Sequence, residues 1–171
     1  TKAMEMIAAS KMRQAQLRVL SARPYSEKMR EVLANLAAQP KTDGDTHPLL
    51  QQREVKHITV IHITSDRGLC GGLNANVNRR TASFILEGQT PVNIIAVGRK
   101  GRDFMSRYGR DIRAEFTQLG DKPALVDTTP ISRVIIDDYT GRLTDEIYLA
   151  YTEFITTAIQ RPVFKKLLPI E

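Results

Sequence analysis

From residue 2 to residue 38 one spacing repeats. Apolar side chains stand at Met4, Ala8, Met12, Ala15, Val19, Ala22, Met29, Leu33 and Leu36. The gaps are three or four residues, with polar Ser26 filling the one longer interval. This is the a/d spacing of a coiled-coil seam, and it predicts a helix over 2–38 about 55 Å long. Pro24 lies inside it and removes the hydrogen bond to the Leu20 carbonyl. The stripe keeps its register across Pro24, which favours a bend over a break. A seam of this length needs a helix of similar length against it, and the later pattern offers none. The partner is expected outside these residues. Thr1 stands where an initiator Met would, no N-cap precedes the first apolar positions, and Leu167–Glu171 stops abruptly. The chain therefore reads as a fragment.

Residues 39–55 read as a linker, with Pro40, Gly44, Pro48 and no periodicity. Beyond it the period switches between strand and helix. Strands are predicted at Ile58–Thr64, Val92–Val97, Ile112–Phe116, Glu146–Thr152 and Val163–Leu168. Helices are predicted at Asn74–Glu87, Arg99–Tyr108 and Pro130–Thr140. Inward positions are Val77, Thr81, Phe84 and Ile85 in the first of these, and Phe104, Met105 and Tyr108 in the second. Pro130 is taken as a first-turn proline. The first two strands are apolar on both faces, whereas Ile112–Phe116 alternates like an edge strand. This predicts an α/β fold: the long helix of 1–38, the linker, and over 56–171 a Rossmann-like, mostly parallel sheet flanked by helices.

Charge sharpens the picture of the helix. The chain carries a formal +6. Its helix holds seven basic residues (Lys2, Lys11, Arg13, Arg18, Arg23, Lys28, Arg30) against Glu5, Glu27 and Glu31, a net +4. A solvated face explains this charge, and so does an acidic partner. No nucleic-acid motif accompanies it. The single Cys70 allows no internal disulfide and no cysteine-based zinc site. No apolar run approaches a membrane span.

Candidate chemistry concentrates after the first strand, in Ser65-Asp66-Arg67-Gly68-Leu69-Cys70-Gly71-Gly72-Leu73-Asn74. A dinucleotide fingerprint needs G-x-G-x-x-G, and glycines at 68, 71 and 72 do not supply it. No P-loop exists either. Gly98-Arg99-Lys100-Gly101 follows the second strand and could cradle an anion, but it reads more simply as the start of a helix. Gly68-Leu69-Cys70-Gly71-Gly72 matches the spelling of a nucleophile elbow. That elbow requires a later His, and His47, His57 and His62 all precede Cys70. His57 and His62 fall on opposite sides of a strand, so no metal constellation follows. Asp137 and Asp138 are adjacent on a helix and read as a solvated face. No catalytic, cofactor or metal residue is expected.

Two long ungapped motifs carry a resemblance. One is Thr1-Lys2-Ala3-Met4-Glu5-Met6-Ile7-Ala8-Ala9-Ser10-Lys11-Met12 with the later Arg23-Pro24-Tyr25, and the other is Ser65–Asn74. With weaker agreement at Gly98–Gly101, Asp145–Tyr148 and Leu167-Leu168-Pro169, the chain resembles the gamma subunit of the F-type (F1Fo) ATP synthase, in its bacterial form. The resemblance covers essentially the whole chain.

The resemblance implies a central rotor shaft that couples proton flow to conformational cycling of the catalytic sites and does no chemistry itself. It implies as partners the alpha and beta subunits, the epsilon subunit and the membrane c-ring, on the cytoplasmic face of the bacterial inner membrane. It also supplies the absent mate of the seam, a C-terminal helix of the same subunit. The expected contacts with the alpha–beta hexamer are Lys2, Met4, Lys11, Arg13 and Arg18 on the helix. On the turn they are Asp66, Arg67, Gly68, Cys70, Gly71 and Gly72, with the glycines allowing close backbone packing. No cofactor and no nucleic acid are implied. The rivals are a small nucleotide-binding α/β protein with a basic helical tail, and a basic adaptor that binds RNA.

Overall fold

The computed structural model describes residues 1–39 and 47–170. It contains two compact units. The first is helix α1, Lys2–Ala37. It passes through Pro24 uninterrupted, and the seam stays in register from Met4 to Leu36. The Ala38 N–H closes its end on the Ala34 carbonyl at 3.0 Å.

The second unit is an α/β domain. In chain order it contains β1 (Ile58–Ile63), α2 (Leu73–Glu87), β2 (Val92–Val97), α3 (Arg99–Arg107), β3 (Ile112–Phe116), α4 (Leu125–Thr140), β4 (Glu146–Phe154) and β5 (Gln160–Leu168). The sheet order is β3-β2-β1-β4-β5. The first four strands are parallel, and β5 returns antiparallel along β4.

Alternation along the strands builds two cores. Ile58, Val60, Ile94, Ala96 and Ala150 point to one face, where Val77 of α2 and Met105 of α3 cover them. Ile61, Ile95, Val97 and Ile147 point to the other, under Ile131, Ile135 and Tyr139 of α4. The central strands are buried on both sides, as their unbroken apolar pattern requires. β3 lies at one edge, as its alternation predicts. β5 forms the other edge, and it accommodates Pro162 because an edge strand has one ladder free.

Three expectations change. Helix α4 begins five residues before Pro130. The Asp127 carboxylate accepts the Ala124 N–H at 2.7 Å, and this local bond starts the helix upstream. Pro130 then deprives only the Val126 carbonyl of a helical donor, at an exposed residue. Tyr108, expected inward, is 63% exposed. Asp138, expected in solvent, is 4% exposed and takes both Nε and Nη2 of Arg113, at 3.1 and 3.0 Å.

Of the expected linker, 40–46 lie outside the described residues. Residues 47–55 are docked on the domain. Leu49 packs on the α4 core, and its carbonyl accepts the Ile170 N–H at 3.1 Å. Arg53 lies over the Tyr139 ring at 4.4 Å, with its Nε 2.8 Å from the Asp145 carboxylate. The Lys56 and His57 N–H groups also donate to that carboxylate, at 2.9 and 3.0 Å. These polar anchors have no period, so the hydrophobic pattern cannot reveal them.

Candidate interaction surfaces

No residue of α1 is buried. Met4 is 75% exposed and Tyr25 71%, and the seam residues are open except for half-buried Leu33. Further large apolar side chains lie outside the seam. Met6, Ile7, Leu17, Leu20, Tyr25 and Val32 are all exposed; at 100° per residue Met6, Leu17 and Leu20 fall opposite the seam, and Ile7, Tyr25 and Val32 on one flank of it. A one-stripe reading misses them, because their spacing overlaps that of the seam. A helix apolar around most of its circumference needs cover on more than one side.

The four helix cations expected to meet the hexamer divide by the same geometry. Lys11 and Arg18 are seven residues apart and sit at the edge of the seam. Lys2 and Arg13 are eleven apart and share the opposite face. A single flat partner cannot meet all four.

The 65–74 turn is held by Asn74. Its Oδ1 accepts the Ser65 N–H at 3.0 Å. Its Nδ2 donates to Ser65 Oγ at 2.8 Å and to the Arg67 carbonyl at 3.2 Å, and it lies 3.2 Å from Cys70 Sγ. Asp66 faces the domain. Its carboxylate accepts the Arg99 N–H at 3.0 Å and the Gln118 N–H at 2.9 Å, tying the end of β1 to α3 and to the segment after β3. The tip of the turn faces solvent. Arg67, Gly68, Cys70 and Gly71 are exposed, and Leu69 is fully so, with a left-handed backbone at φ 58°. The expected site thus splits into an inward strut, Asp66, and an exposed tip.

Of the three glycines here, Gly72 is in close contact, since a Cβ there would lie 3.0 Å from Asn76 Nδ2, one on Gly68 would touch Lys100 at 3.4 Å, and Gly71 serves conformation. Gly71 has φ 59° and nothing within 4 Å of a would-be Cβ. The tightest packing is at the start of α3. A Cβ on Gly98, at φ 97°, would lie 2.1 Å from the Thr64 carbonyl oxygen, and one on Gly101 would meet His62 at 2.5 Å. The amides of that helix terminus are occupied. Arg99 N–H bonds Asp66, Lys100 N–H bonds the Ser65 carbonyl at 3.2 Å, Gly101 N–H bonds Thr64 Oγ1 at 2.7 Å, and Arg102 N–H bonds the Gly98 carbonyl. The segment after β1 has filled the anion cradle with the side chains of Thr64 and Asp66 and the carbonyl of Ser65.

Beneath it His62 is buried. Its Nε2 is 2.7 Å from Asn78 Oδ1 and its Nδ1 is 3.0 Å from Thr81 Oγ1, which fits a neutral ring with the proton on Nε2. Burial lowers its pKa, against an opposing pull from the Asn78 bond. Among the described residues no His, Cys, Asp and Glu cluster could hold a metal ion.

The chain as a whole is similar to known proteins. The family model described as ATP synthase matches residues 1–171. The ATP synthase gamma chain of Dehalococcoides mccartyi strain 195 is 57% identical over 170 residues, covering 99% of this chain and 60% of that protein. That of Desulfitobacterium hafniense is 51% identical over 171 residues, covering 100% and 60%. The chain therefore spans about 60% of the length of these curated relatives. Among solved structures, a chain of the Tetrahymena thermophila mitochondrial ATP synthase central stalk and c-ring superposes with a TM-score of 0.72. It is 24% identical, covers 98% of this chain and 71% of that one, and is similar in fold.

Proposed function

Because the chain belongs to the gamma-subunit family of the F-type ATP synthase, we propose that it forms the larger part of a central rotor shaft. Its task would be to couple proton flow through a membrane ring to the cycling of catalytic sites on an alpha–beta hexamer. The observation that carries this reading is the surface of α1, 36 residues of helix with large apolar side chains around it and none buried. A second helix of the same subunit, in the length that the relatives have beyond this chain, would cover the seam side. The side bearing Met6, Leu17 and Leu20 would then turn inside the hexamer.

Such a surface suits rotation. Apolar contact is non-directional, so no orientation is locked by matched hydrogen bonds. Lys2 and Arg13, on that outer side, would meet acidic levers of the beta subunits. Exposed ion pairs of this kind contribute about 0–1 kcal/mol each, weak enough to exchange from one lever to the next. The tip at Arg67, Leu69 and Cys70 would touch the base of the hexamer. Asp66 would keep that tip rigid by bonding to α3. The sheet domain would bind the epsilon subunit and rest on the c-ring.

In this reading the chain is a non-catalytic subunit. It would act peripherally, on the cytoplasmic face of a bacterial inner membrane. Among the described residues no helix is long and apolar enough to cross a membrane.

The test uses the whole subunit and purified alpha–beta hexamer. Met6→Asp combined with Leu17→Asp should abolish co-migration of the two on gel filtration, while circular dichroism of the free subunit stays unchanged. Undiminished assembly would refute the outer-face contact. Micromolar binding of ATP or NAD to the chain alone would favour the nucleotide-binding alternative.

A further inference from the structure

A groove of about 580 Å³ runs between α2 and α3 on the outer face of the sheet domain. Its floor is apolar. Ala82 and Leu86 come from α2, Phe104 and Tyr108 from α3. Leu86 is 72% exposed, and the Tyr108 ring leans on Phe104 at 4.8 Å. The rim is cationic. Arg79, Lys100, Arg107 and Arg110 line it, and none of these side chains makes an ion pair among the described residues. The one carboxylate in the lining, Asp103, is taken by Arg102 at 2.8 Å.

That cluster is unlike much of the domain surface. Several cations elsewhere are paired, Arg113 with Asp138, Arg161 and Lys165 with Glu153, and Lys166 with Glu146, and those that are not, such as Arg133 and Arg142, do not line this groove. Four uncompensated charges around exposed aromatic and aliphatic carbon repel one another, and a negative partner would relieve this.

The shape selects the partner. The lining on α2 runs from Asn74 to Leu86, about 18 Å at 1.5 Å per residue. That is a trough three helical turns long, open along its length. Phosphate ligands use backbone amides as well as cations, and those of α3 are already bonded to Asp66, Ser65, Thr64 and Gly98. A helix needs no such donors. Its apolar stripe at i, i+3, i+4 and i+7 would fill the floor, and carboxylates beside the stripe would reach Arg79 on one bank and Arg107 on the other.

We infer that the α2–α3 groove docks an acidic amphipathic helix of about three turns from another polypeptide. The inference stands on this groove alone and does not depend on the rotor reading.

The test is amide chemical-shift mapping of the full chain. The probe is a helical peptide of about 12 residues with Leu at the stripe positions and Glu elsewhere. Shifts should be confined to residues 74–86 and 100–110, and binding should weaken as salt is raised. Arg79→Glu with Arg107→Glu should weaken binding roughly tenfold or more and leave the shifts of the strand amides unchanged. Both side chains are exposed and unpaired, so the fold should tolerate the change. Leu86→Ser should weaken binding without altering its salt dependence. Equal binding of a peptide with Lys in place of Glu, shifts elsewhere in the domain, or full binding by the charge-reversed variant would overturn the proposal. So would a response of the same residues to phosphatidylglycerol vesicles without any to the peptide, which would make the groove a lipid-facing patch.

Discussion

At Gly98 the chain tolerates no other residue. Its φ of 97° and the Thr64 carbonyl 2.1 Å from a would-be Cβ both forbid a side chain. Gly98→Ala should destabilise the domain by roughly 3–5 kcal/mol, read as a lowered urea midpoint. Sequence marks Gly98 as a helix start, but the clash comes from a residue 34 positions earlier, which only folding brings near. His62 is a second such case. Its period placed it on one side of β1, and the structure adds that Asn78 and Thr81 meet it there. Its pKa is lowered by burial from the usual 6.5, so the unfolded chain takes up a proton at a pH where the folded one does not. Stability should therefore fall as pH drops below about 6.5, and keep falling until the folded ring protonates. Urea midpoints between pH 7.5 and 5 check this, and His62→Gln should flatten the slope. Asp145 acts in a lower window. Burial would raise its pKa, but the Lys56 and His57 N–H groups and Arg53 outweigh that and hold it below the usual 3.8. The stability it supplies is present above that value and lost as pH falls through the folded pKa.

The elements were legible where one physical cause set the pattern. β1 and β2 read as central strands because both faces are covered, whereas β3 ends the strand order and alternates partly buried with exposed residues. The start of α4 was not legible, because Pro130 imitates a first-turn proline while Asp127 caps the chain upstream. The 65–74 turn was half legible. Its glycines announce a turn, yet only the folded domain separates the strut Asp66 from the tip. Leu69 makes that separation testable. It is a fully exposed, left-handed non-glycine residue, so its presence does nothing for the stability of the domain. Leu69→Gly should leave stability unchanged or raise it by up to about 1 kcal/mol. If the tip contacts the hexamer as proposed, the same change should weaken assembly of the whole subunit. Weaker folding together with unchanged assembly would show that Leu69 serves the domain instead.

For the molecule as a whole, protection should divide between the two units. Amides of α1 have helical hydrogen bonds but no buried side chains behind them, whereas those of β1 and β2 lie between two covered faces. In hydrogen exchange of this chain alone, α1 should exchange orders of magnitude faster than the central strands. Assembly into a complex should slow α1 selectively. Comparable protection of α1 in the isolated chain would mean that its apolar surface is already covered. The sequence by itself determined the helix, its seam, the alternation of strand and helix, and the motifs that place the chain in its family. Each of these depends on spacing along the chain, and spacing is what a sequence records. Only the tertiary structure decided that Asp66 braces the turn, that the α3 amides are already used, and that unpaired cations gather over the α2–α3 groove. These follow from which distant residues become neighbours, and no local period encodes that.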